Sequence, residues 1–200
     1  MTHTVEHTRM SGPNVEHWRR WGSYVSARSW GTVRESGTIE KAWGTFPFEH
    51  ARSRAARWAE DGIGGFSDNQ QRLCLTSAFW NGQDPLLKER FFGLTNDEGN
   101  HGEDIKDYFY FVDGVPSYSY MKMLYRYPQA EFPYQRLRQE NAQLGLDQPA
   151  IQLVDVLPNT FACKRYFDIV IEFAKADTDD LLYRITATNC GDRPAPLHIL

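Results

Sequence analysis

The sequence predicts a mostly β chain, an antiparallel β-sandwich with one or two short helices, and three observations predict it. Residues 166–175 alternate with a period of two, placing Phe167, Ile169, Ile171 and Phe173 on one face and Tyr166, Asp168, Val170 and Glu172 on the other. That is the pattern of a half-buried antiparallel strand. From Gln71 onward, short runs of aromatic and β-branched residues are separated by turn residues, the punctuation of strands joined by tight connections. No alternation of strand and long helix appears, which excludes a parallel βαβ sheet.

Taken in order, residues 1–20 read as a polar N-terminal tail, and residues 21–200 as one sandwich domain. Residues 49–62 (EHARSRAARWAEDG) form a short helix; Arg52, Arg54 and Arg57 pair there with Glu49, Glu60 and Asp61, a structural role. Residues 72–80 are apolar on both alternating faces, which predicts a buried strand. Asn81-Gly82 is a hairpin signal, lengthened by Gln83-Asp84-Pro85 before a returning strand at 86–94. A polar connection at 95–103 leads to strand 105–113, a turn at Gly114-Val115-Pro116-Ser117, and strand 118–127.

Pro133 opens a short surface helix over 134–144, with Gly145 as its C′ residue. After strand 166–175, Thr178-Asp179-Asp180 turns into strand 181–188, which carries Leu181, Tyr183, Ile185 and Ala187 on one face. A further turn at 189–194 leads to a strand starting at 197–200. A domain seldom stops within a ladder, so the expectation is a sheet incomplete at its C-terminal end and a polypeptide that continues past Leu200.

Composition narrows the function classes. The 200 residues are 41% hydrophobic and 24% charged with a net charge of -4, enough for one sizeable core. Basic residues are scattered among acids, which argues against a nucleic-acid partner. The first seventeen residues lack the apolar core of a secretory signal, and no run approaches the length of a membrane span. Cys74, Cys163 and Cys190 are odd in number and isolated, which fits a reducing, cytoplasmic location. Aromatic residues make up 14%, and with their apolar faces and polar tips they suit sugars, although strands are enriched in them as well.

The densest chemistry lies at Asn100, His101, Glu103 and Asp104, an amide, an imidazole and two carboxylates on a Gly-bearing loop between strands. As a metal centre the spacing is poor: His101 and Glu103 are two apart, with no second histidine nearby. Asp61, Asp68, Glu98, Glu103 and Asp104 are formal candidates for the carboxylate pair of glycoside hydrolysis, but sequence spacing sets no such geometry. Each taken alone reads as a solvated or turn-capping acid. No Gly-x-Ser-x-Gly elbow and no Gly-rich phosphate loop occur, and no cofactor or metal is expected.

Four ordered blocks carry a family resemblance: WGSYVSARSWGTVRE, FPFEHARSRAARWAEDGIGGFSDNQQRLCL, FWNGQDPLLKERFFGLTNDEGNHGEDIKDYFYF and SYMKMLYRYPQAEFPY. Together they resemble bacterial members of glycoside hydrolase family 63, the processing α-glucosidases and mannosyl-oligosaccharide glucosidase-like enzymes. The resemblance implies an amino-terminal, super-sandwich-like β-domain followed by an (α/α) barrel that holds the acid and base. No catalytic residue carries over, because no counterpart of the barrel lies in this sequence. It implies an inverting glycosidase acting on α-linked glucosides or oligosaccharides, in which this part supports the barrel. Residues 100–104 would then form one wall of the sugar site, and the chain alone would be inactive. The rivals are a non-catalytic carbohydrate-binding or structural sandwich module, and a small metalloenzyme using His101 and Glu103.

Overall fold

A computed structural model describes residues 3–24, 62–91, 107–145 and 147–200. Its dominant element is a four-stranded antiparallel sheet in the order β5-β6-β7-β8, made of Tyr108–Gly114, Tyr120–Pro128, Tyr166–Asp177 and Asp180–Asn189. Register follows the apolar alternation: Met121, Met123, Tyr125 and Tyr127 of β6 stand opposite Phe173, Ile171, Ile169 and Phe167 of β7. All eight side chains are buried, and each apolar one contributes about 1.5–3 kcal/mol by leaving water. The opposite face is half-buried and mixes apolar Leu124 and Val170 with polar pairs. There Arg126 pairs with Asp168 at 2.8 Å, and Glu172 accepts from Tyr120 and Arg184, both at 2.8 Å.

A second sheet, β1-β2-β3 (Trp21–Gly22, Ile63–Asp68, Cys74–Ser77), lies across the buried face of the first. Phe66 stacks on Phe173 with planes 15° apart, and the Tyr183 hydroxyl donates to the Gly64 carbonyl at 3.1 Å. A two-stranded pair, β4-β9 (Phe79–Trp80 and His198–Ile199), completes the strands among the described residues. The fold is therefore mostly β, antiparallel and sandwich-like, as the alternation predicts.

Five short helices occur among the described residues, more than the sequence pattern gave. Residues 1–20 are not merely a polar tail: α1 (Val5–Ser11) is capped by Thr4, whose hydroxyl accepts from the His7 amide at 3.2 Å, and α2 (Val15–Arg19) follows. The predicted helix at 134–144 is α3, Tyr134–Ala142. It ends without a left-handed Gly145, since the positive-φ glycines are Gly62, Gly64 and Gly82. The helices α4 (Leu153–Val156) and α5 (Pro158–Ala162) were too short to leave a 3.6-residue periodicity. They start on a Gln152/Asp155 capping box and on Pro158 at the first turn. With α3 they close a second core of Phe132, Tyr134, Leu137, Leu153 and Val156.

Two strand expectations are corrected. The run 72–80 is not buried on both faces: it splits into β3 and β4, and Leu73 and Leu75 are 65% and 46% exposed. The reason is position, because among the described residues β3 is an end strand of its sheet. The return at 86–94 is reduced, within the described residues, to one bridge in which Phe79 and Lys88 exchange backbone hydrogen bonds at 2.9 Å. The Asn81 side chain caps the intervening turn by accepting the amides of Gln83 and Asp84, at 2.9 and 2.7 Å. No helix among the described residues is long and apolar enough to cross a membrane.

Lys175, at the end of β7, is buried and donates to the carbonyls of Trp18 and Trp21. Burial lowers its pKa from 10.5 to about 8. Because the folded chain releases this proton before the unfolded chain does, the group's contribution to stability should rise between about pH 8 and 10.5. Denaturant unfolding at intervals across that range is expected to show a steeper rise for the wild type than for Lys175→Met. Parallel curves would refute the linkage.

Candidate functional site

The described residues bring together a buried polar cluster that no motif announced. Lys88 sits at the bridge to β4, and Asp107 stands immediately before β5. Both side chains are fully shielded from solvent, and the Lys88 ammonium lies 3.2 and 3.4 Å from the two carboxylate oxygens. The ammonium also donates to the Tyr134 hydroxyl at 2.5 Å and lies 4.0 Å from the centre of the Phe132 ring. Tyr125 donates to Asp107 at 3.0 Å. Asp84, on the Asn81–Asp84 turn, accepts from Tyr127 at 3.1 Å and Tyr134 at 3.4 Å through one oxygen, and from the Leu86 amide at 3.0 Å through the other.

Burial sets the electrostatics. It pushes the Asp107 carboxyl above its ordinary range, against the pull of Lys88 and Tyr125. It also raises the phenols of Tyr125, Tyr127 and Tyr134, with the neighbouring carboxylates adding to the effect. The tyrosines therefore stay neutral donors at all ordinary pH values. A cation and a carboxylate with no exposed surface cannot meet a substrate directly. Their geometric effect is to fix the residues on either side of 92–106. Phe91 reinforces this, stacking on Phe109 with centroids 4.3 Å apart and meeting the edge of Tyr125 at 5.0 Å.

Beside this cluster an open cleft of about 420 Å³ is lined by Trp80, Asp84, Pro85, Leu86, Leu87, His198 and Leu200. Trp80 is 38% exposed, and its indole N–H is committed to the Asp84 carbonyl at 3.0 Å. His198, its partner in the β4-β9 ladder, lies 5.2 Å from it with rings tilted by 35°.

The sequence candidates Asn100, His101, Glu103 and Asp104 lie outside the described residues, as do Asp61, Glu98 and the helix expected at 49–62. Asp68 is described and proves to be a turn-capping acid. Its carboxylate accepts the amides of Gln70, Arg72 and Leu73 at 3.1, 2.6 and 2.9 Å, which holds its pKa below the usual range. Among the described residues no three His, Cys, Asp or Glu side chains converge as a metal site would need. Sequence reasoning missed Asp84, Lys88 and Asp107. Their available signal was three charges set among apolar and aromatic runs, DPLLKERFF and DYFYF, where a charge needs a buried partner.

No protein-family model matches the chain, and no solved structure matches it. It is similar to "Uncharacterized protein YMR196W" of Saccharomyces cerevisiae, with 44% identity over 196 residues that cover 93% of this chain and 18% of the yeast protein. The chain therefore spans less than a fifth of the length of the curated relative it matches.

Proposed function

We propose that the chain is the amino-terminal β-sandwich domain of a cytoplasmic glycoside hydrolase acting on α-glucosides or oligosaccharides, and that it supports a catalytic barrel elsewhere in the polypeptide. In this reading residues 100–104 form one wall of the sugar site. The observation that carries it is the desolvated Lys88–Asp107 pair, which with the Phe91–Phe109 stack anchors the residues flanking 92–106. A fully buried ion pair contributes little net stability, so its placement at the base of the most polar, chemistry-bearing stretch supports a positioning role. The family resemblance of the four sequence blocks supplies the reaction class.

In the full-length protein, His101→Ala is expected to lower kcat/KM on α-glucosides about tenfold, the loss of one or two hydrogen bonds, with an unchanged melting temperature. The isolated chain should hydrolyse none of them. Unchanged kinetics in both His101→Ala and Glu103→Gln would remove the loop from the site. A second reading, a non-catalytic carbohydrate-binding module, draws on the fixed, half-exposed Trp80 ring at the cleft. Oligosaccharide binding by the isolated chain, abolished by Trp80→Ala, together with a full-length protein that hydrolyses no glycoside, would favour it.

A further inference from the structure

β3 and β4 follow one another with only Ala78 between them, and the amides and carbonyls of this extended run alternate between its two edges. Leu73 and Phe79 face one edge. The Leu73 carbonyl accepts from the Asp68 amide of β2 at 3.3 Å, and Phe79 exchanges both of its bonds with Lys88 at 2.9 Å. Ala78 faces the other edge, where it exchanges both of its bonds with Leu200, again at 2.9 Å, in line with the pairs Phe79–Ile199 and Trp80–His198. Thr76 lies two residues before Ala78, so its amide and carbonyl point to that second edge. Among the described residues no strand pairs with β3 there.

The side chains along this edge are apolar yet uncovered. Leu73 and Leu75 alternate in phase with Ser77 and Phe79, both buried, but are themselves 65% and 46% exposed. Ile199, opposite the fully buried Phe79, is 47% exposed. Residues 73–77 carry no charge and no proline, the usual devices that keep an edge from pairing. A strand laid along β3 would give the Thr76 main chain its ladder bonds and flank both leucines with side chains on the same face.

From this geometry we infer that the open edge of β3 is the docking surface for the polypeptide that follows Leu200, added as an antiparallel strand that prolongs β9. The occupant follows from direction and register. β9 already runs antiparallel along this edge, and each residue past Leu200 stands opposite one residue before Ala78. The first, second and third positions therefore meet Ser77, Thr76 and Leu75. A strand arriving this way closes no loop, so it reaches the edge at a lower entropic cost than any distant segment. Its chemistry is set by the same register: apolar side chains at the third and fifth positions, beside Leu75 and Leu73, and side chains suited to solvent at the second and fourth, beside the exposed Thr76 and Cys74. The inference rests on the reading of the chain as one domain of a longer polypeptide, which its coverage of 18% of the yeast relative supports, and not on the reaction assigned to that polypeptide.

The test uses the full-length protein with Cys74, Cys163 and Cys190 replaced by serine. Because Ala78 and Leu200 form a hydrogen-bonded pair, Leu75 and the third position past Leu200 form a non-hydrogen-bonded one, with Cα atoms about 4.5 Å apart and within disulfide reach. Leu75→Cys with a cysteine at that third position is expected to cross-link within the chain under mild oxidation. A cysteine at the second or fourth position, on the opposite face, should leave Leu75→Cys reduced. In the wild type, the Thr76 amide should exchange its hydrogen at least about a hundredfold more slowly than an unpaired amide, a measurement that decides the matter even if the cysteine variants fail to fold. No cross-link, equal cross-linking at all three positions, a freely exchanging Thr76 amide, or a natural polypeptide that stops at Leu200 overturns the inference. A protein that cross-links in register yet hydrolyses no α-glucoside upholds the docking and removes the glycosidase reading; an active glycosidase with a freely exchanging Thr76 amide does the reverse.

Discussion

Replacing Lys88 with methionine should cost about 3–5 kcal/mol of folding stability at neutral pH, the penalty of removing one partner from a buried ion pair. The mechanism is specific. Asp107 is fully buried, its carboxyl already raised by desolvation, and Lys88 is the cation that opposes that rise. Without the ammonium, Tyr125 still donates to Asp107 at 3.0 Å, but one neutral donor does not balance a buried charge. The carboxyl takes up a proton instead. An acid whose folded pKa is raised costs stability as pH climbs from its unfolded value through the folded one. The deficit of Lys88→Met should therefore be small at acidic pH and grow toward neutrality.

Lys88→Met with Asp107→Leu replaces both charges by apolar groups and should recover most of the loss, since such replacements are often neutral or stabilising. Chemical unfolding of the two single variants and the double variant from pH 4 to 8 measures this coupling. Equal costs at all pH values, or a double variant as unstable as the sum of the singles, would show that the pair does not act as a desolvated unit.

Gly64→Ala is expected to cost about 2–5 kcal/mol, from two contributions that act on the same atom. Gly64 has φ +63°, a region that costs an L residue about 1–2 kcal/mol. The added methyl would stand 2.9 Å from two carbons of Ile171 and 3.2 Å from the Tyr183 hydroxyl; overpacking of this kind adds about 1–3 kcal/mol. Both contacts lie where the two sheets face each other, and neither partner has room to retreat: Ile171 is fully buried and Tyr183 is tied to Ser77 at 2.7 Å.

Ile171→Val removes one of the two crowded carbons, so Gly64→Ala should cost less in that background, a coupling readable in a double-mutant cycle. A cost within about 0.5 kcal/mol, the range of an ordinary surface substitution, would mean that the sheets are not held as closely as the geometry requires.

The sequence by itself determined the strands whose environment is repetitive. In β6 and β7 every second side chain meets the same buried face, so alternation at Phe167, Ile169, Ile171 and Phe173 reports both strand and register. The turn at Thr178-Asp179 was legible as a break in that period and a strand start at 197–200 followed the next turn, but its partner, Phe79–Trp80, left no local signal. Local pattern failed where a residue's fate depends on distant chain. Leu73 and Leu75 carry a core-like pattern, yet Leu73 precedes and Leu75 lies on an end strand among the described residues, because sheet order is decided by partners far along the sequence. Lys88 and Asp107 look like two surface charges nineteen positions apart; only tertiary packing brings them together, desolvates them and rings them with Tyr125, Tyr127 and Tyr134. Glu6 meets Ser117 across more than a hundred positions. Periodicity records which face of an element is dry, whereas the pairing of charges across the fold is a property of the assembled sheets, since a buried charge is stable only against a partner that the local sequence does not contain.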